Sequence, residues 1–128
     1  MKKLLFILGL FISLNLFGQS KTHCFLFTFD TKAVAWGKNT TFSKPQFCKA
    51  NLTLFDRASF FLLDDPVAVG IFDIKNVEKD YERNIFVFTC TKRETKESCT
   101  ILLENEFITF IYASVAYRYH IRLSNELD

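Results

Sequence analysis

Tyr117-Arg118-Tyr119-His120-Ile121-Arg122-Leu123 alternates apolar and polar residues without a break. In an extended chain successive side chains leave opposite faces. Tyr117, Tyr119, Ile121 and Leu123 are therefore expected to face a core, and Arg118, His120 and Arg122 to face away. A helix would mix the two sets on one side, so the segment reads as a strand. The same period recurs upstream. Phe107 to Tyr112 places Ile108, Phe110 and Tyr112 on one face, Ser98 to Glu104 places Cys99, Ile101 and Leu103, and Ile85 to Thr91 places Phe86, Phe88 and Cys90. With Asn105-Glu106 as a tight turn, Leu103 falls opposite Ile108, Ile101 opposite Phe110 and Cys99 opposite Tyr112.

Nearer the N-terminus, Cys24 to Asp30 puts Phe25, Phe27 and Phe29 on one face and Cys24, Leu26 and Thr28 on the other, a pattern suited to a central strand. Ala33 to Trp36 reads as a short second strand, followed by a polar connection and a strand over Phe47 to Phe55. Ala58 to Leu63 and Val67 to Ile74 are further strands. Asp64-Asp65-Pro66 forms the turn between them, since Pro presets its backbone angle and aspartate favours turn geometry. The charge clusters Lys75 to Arg83 and Lys92 to Glu97 alternate in sign and read as solvated turns. A short helix over Val77 to Arg83 is the competing assignment for the first. The fold class is all-β: a single small antiparallel domain, residues 21–128, of about eight strands, either a curled barrel or a two-layer sandwich.

The 128 residues include 16 phenylalanines but only 4 glycines and 2 prolines, a composition for one aromatic core without a flexible linker. Apolar content is too high and net charge too low for disorder. Lys2 and Lys3, the apolar run from Leu4 to Ile12, and small or polar residues at Gly18, Gln19 and Ser20 describe a helical secretory signal over residues 1–20. The apolar run falls short of the roughly 20 residues a membrane span asks for, which disfavours an anchor, and no stable span is expected after cleavage. The Lys-Lys start, Leu/Phe/Ile middle and Phe17-Gly18-Gln19 exit resemble Gram-negative bacterial export signals. The sequence thus points to a secreted or periplasmic protein. The formal charge of +2 resides in Lys2 and Lys3, so the remainder is balanced and offers no concentrated positive field for nucleic acid.

An even cysteine count in an exported chain suggests disulfides. A turn centred on Glu94-Thr95 brings Cys90 opposite Cys99, and Cys24–Cys48 follows by elimination. Zinc or redox chemistry would want a C-x-x-C spacing, which the chain lacks.

The sequence assigns no catalytic residue, metal ligand or cofactor. It contains no G-x-S-x-G, H-E-x-x-H or glycine-rich phosphate loop, and His120 has no nucleophile context. Arg118, His120 and Arg122 are the candidate partner-binding set, able to receive a carboxylate or phosphate unless acidic neighbours neutralise them. Trp36 is expected to pack in the core. The leading reading is a non-catalytic binding or interaction module for a macromolecule of the cell envelope or exterior. A carrier of a small apolar ligand inside a curled sheet is the alternative, and an enzyme the third.

Overall fold

Alternation and turn chemistry together produce eight antiparallel strands: β1 (Cys24–Trp36), β2 (Gln46–Phe55), β3 (Phe60–Asp65), β4 (Ala68–Asp80), β5 (Ile85–Lys92), β6 (Ser98–Leu103), β7 (Phe107–Ile111) and β8 (Val115–Leu127). The computed structural model describes residues 24–37 and 41–127. The proposed export segment 1–20 lies outside the described residues. Each strand pairs with its neighbour in sequence, and β8 pairs with β1, so the sheet closes into an up-and-down barrel rather than a sandwich.

Eight strands enclose an interior that side chains can fill. Here Phe25, Phe27 and Phe29 from β1 meet Leu52, Leu54, Phe61, Phe72, Phe86, Phe88, Ile101, Phe110 and Tyr119 in one buried cluster. Several rings meet edge-on, Phe61 with Phe88 at 4.9 Å and Phe110 with Tyr119 at 5.6 Å, while Phe29 stacks on Tyr119 at 4.6 Å. An apolar interior beneath an outer face carrying Lys49, Asp64 and Asp73 is the reverse of an outer-membrane barrel, whose lumen is polar.

The C-terminal registers match the sequence reading: Leu103 opposes Ile108, Ile101 opposes Phe110, and Cys90 opposes Cys99. Several other expectations are corrected. Ala33 to Trp36 is not a separate strand, because a bulge between Phe29 and Thr31 lets β1 continue past Asp30 with its faces exchanged. Lys75 to Asp80 is no solvated turn and no helix: β4 runs on after a bulge between Ile74 and Asn76, and Lys79 and Asp80 pair with Phe86 and Ile85. Lys79 then closes that end of the barrel, its ammonium 4.7 Å from the Phe86 ring centre and 2.6 Å from Asn84 Oδ1. Trp36 is 68% exposed rather than packed.

β8 shows what a bulge does to a clean alternation. Tyr119 and Ile121 are buried as expected, but Leu123 is 49% exposed, because the β1–β8 register slips between Ile121 and Leu123. Ile121→Ala should therefore cost about 2–5 kcal/mol in a denaturant melt. Leu123→Ala should stay within about 0.5 kcal/mol. Equal losses would mean that the slip is absent.

The cysteine expectation is also corrected: all four described cysteines are free thiols. Cys24 opposes Phe55, and Cys48 lies seven residues further along β2. At about 3.3 Å per residue that is about 23 Å, against the roughly 7 Å limit for a bridge. Cys90 and Cys99 oppose each other but are unlinked, serving as small apolar side chains in the core. Burial pushes each thiol up to about 12.

Candidate site at the barrel mouth

The bulge in β1 decides what enters the barrel. Beyond it Lys32 takes the inward position, opposite Tyr119 of β8. A lysine inside a small barrel needs a counter-charge, and β3 supplies one at its last residue, Asp65, which shares a face with Phe61 and Leu63. Lys32 Nζ donates to Asp65 Oδ2 at 2.9 Å, and the Tyr119 hydroxyl donates to the same oxygen at 2.7 Å. Asp65 Oδ1 accepts from the Val67 backbone N–H at 3.2 Å, closing the turn into β4. One aspartate thus ends a strand and neutralises a buried cation.

The electrostatics follow from this geometry. Burial alone would raise the Asp65 carboxyl, but the bonds from Lys32, Tyr119 and Val67 outweigh it and hold the group below the ordinary carboxylate range. Burial, reinforced by the Asp65 bond, pushes the Tyr119 phenol upward, so it stays a donor. The Lys32 ammonium also lies 4.8 Å from the Tyr117 ring centre and 5.4 Å from that of Tyr119. Cys48, half-buried on β2, stands near this group, its thiol raised by burial and then by the Asp65 charge.

Above this polar floor lies a cavity of about 320 Å³, open at the end that carries the β3–β4, β5–β6 and β7–β8 turns. Leu63, Phe110, Tyr112, Tyr117 and Tyr119 form its walls, with Val67, Lys92, Glu97 and Val115 also lining it. Burial pushes the Tyr112 phenol upward as well. Gly70 makes room for one lining residue: a Cβ there would stand 3.0 Å from Lys92 Cε and 3.3 Å from the Phe72 ring. The missing side chain lets the Lys92 stem lie across the interior side of β4.

The residues singled out from the sequence lie elsewhere, on the outer face of β8. Arg118 is half-buried with its guanidinium 4.0 Å from the Phe42 ring centre and 5.5 Å from that of Phe107, and its Nε makes no hydrogen bond. His120 Nδ1 lies 2.8 Å from Asp30 Oδ1, with the Phe107 ring edge-on at 5.3 Å. Arg122 is exposed and lines a separate cleft with Asp30, Phe47 and Lys49. The three share a face, but two of them are already engaged by neighbours. Sequence reading missed Lys32 altogether and took Asp65 only as a turn residue. The one available signal was a lysine flanked by a long β-like run on both sides.

These features define a class: a closed eight-stranded up-and-down barrel with an aromatic-walled, polar-floored mouth. No family model, curated protein or solved structure matches the chain.

Proposed function

We propose that this protein is an exported, non-catalytic binding protein that takes a small amphipathic molecule into the mouth of its barrel, in the periplasm or outside the cell. The observation that carries the reading is the cavity of about 320 Å³ whose walls are Phe110, Tyr112 and Tyr117 and whose floor is the Lys32–Asp65–Tyr119 group. Small-molecule sites combine apolar walls with a few placed polar groups, and barrel mouths are a common location. The rest of the interior is filled by phenylalanine, leucine and isoleucine side chains, so the ligand is held at the mouth rather than swallowed.

A neutral naphthylamine fluorophore tests the reading. Its emission should rise and saturate on titration with the folded protein. Ala68→Trp, which fills the mouth from the start of β4, should abolish the rise while leaving the thermal melt cooperative. No binding by the unsubstituted protein, or equal binding by the variant, would overturn the assignment.

Exposed Trp36 and Val67 favour a second reading, in which this end of the barrel docks on a macromolecule of the envelope. Single exposed apolar residues are common on soluble proteins, so the cavity carries more weight.

A further inference from the structure

We infer that the ligand of the mouth is an organic monoanion with a small planar apolar body, and that Lys92 is the residue that selects its charge. The inference rests on the mouth being a ligand site, and concerns which ligand it takes.

The charges at the mouth are not equivalent. Lys32 and Asp65 neutralise each other, and Asp65 is already bonded by Lys32, Tyr119 and Val67, with 3% of its surface exposed. A cationic ligand therefore finds no reachable carboxylate at the floor. Lys92 takes part in none of the ion pairs made by Lys32, Arg83, Arg93 and His120 among the described residues. It is half-buried, at the end of β5 on the inward face that also carries Phe86, Phe88 and Cys90. The space left by Gly70 holds its stem against β4. Glu97, the one acidic residue lining the cavity, is exposed. Water and salt screen an exposed carboxylate far more than a half-buried ammonium. The uncompensated field inside the mouth is thus positive.

The ammonium of Lys32 adds to this. It has three donors, of which Asp65 takes one, and it lines the same cavity. A carboxylate at Lys92 would leave its apolar body against Tyr112, Tyr117, Phe110 and Val115. Aromatic walls favour a flat body, and a volume near the lower end of the roughly 300–1,000 Å³ range of ligand sites favours a small one.

Calorimetric titration with two probes separates this inference from the reading beneath it. Naphthalene carboxylate and the neutral naphthylamine are each titrated into the unsubstituted protein and into Lys92→Met, which keeps the stem and removes the charge. The carboxylate should bind the unsubstituted protein and lose roughly tenfold in Lys92→Met, the loss of about one charge-assisted hydrogen bond. The neutral probe should change by less than about twofold, since no charge-assisted bond is at stake. Raising the ionic strength should weaken only the carboxylate. Neutral binding without carboxylate binding, or equal losses for both probes, would overturn the monoanion inference and leave the mouth site standing. Failure of the neutral probe on the unsubstituted protein, alone or together with the carboxylate, would overturn the mouth site and this inference with it.

Discussion

Asp65→Ala should destabilise the protein by about 3–5 kcal/mol, the usual consequence of stranding one member of a buried ion pair. The substitution removes three bonds at once: from Lys32 Nζ, the Tyr119 hydroxyl and the Val67 N–H. Lys32 would be left as an uncompensated cation inside the barrel, and Tyr119, buried at the heart of β8, would lose its acceptor. Replacing both partners, as in Lys32→Met with Asp65→Leu, should recover most of the loss, because buried pairs are costly to desolvate. A double variant as unstable as Asp65→Ala would show that the pair contributes more than mutual compensation. The same carboxylate sets an acid limit. Its folded pKa is depressed, so below about pH 4, where an unfolded aspartate binds protons, the unfolded state takes up more protons than the folded one. Its stabilisation is complete above that pH and disappears as pH falls through the folded value. Asp73, held low by its bond from Arg93, contributes in the same direction. The difference in acid unfolding between the unsubstituted protein and Asp65→Asn therefore isolates the mouth.

Phe88→Ala should cost about 3–5 kcal/mol in equilibrium unfolding. Its ring has no exposed surface and sits edge-on to Phe61 with Phe86 alongside, so the cavity left behind is walled by rings that cannot easily close over it. Against a typical total of about 5–15 kcal/mol, that is a large share of the fold's stability. Phe47→Ala makes the contrasting control: its ring is largely exposed, and its loss should fall within about 0.5 kcal/mol. A small effect at Phe88 would mean that the interior is not packed as described.

Phe88 shows where the sequence was legible. Phe88 lies in a strand with regular alternation and a symmetric turn after it, so its face, and the pairing of Cys90 with Cys99, followed from counting. The strand pairings around Leu103 and Ile108 were readable for the same reason. Closure into a barrel was not, because period two describes one strand and is silent on whether β8 returns to β1. The bulges were hidden as well. An extra residue at Asp30 exchanges the faces of β1, which made Ala33 to Trp36 look like a new strand and Lys32 look like a loop residue. The candidate site depends on that exchange, since it turns a lysine inward. Asp65 was half legible: its turn role followed from Asp64-Asp65-Pro66, while its role as counter-ion required knowing that Lys32 faced it. On the outer face, Arg118, His120 and Arg122 were placed on the correct side of β8, and only spatial neighbours such as Phe42 and Asp30 show how two of them are occupied.

The most direct measurement is amide chemical-shift mapping of the isotope-labelled protein during titration with the naphthylamine probe. The mouth assignment predicts saturable shifts centred on the lining residues Leu63, Val67, Lys92, Phe110, Tyr112 and Tyr117, with the turns around Asn84 and Asn105 at the opposite end unmoved. Shifts centred on those opposite turns, or on Arg118 and Arg122 of the outer face, would contradict it.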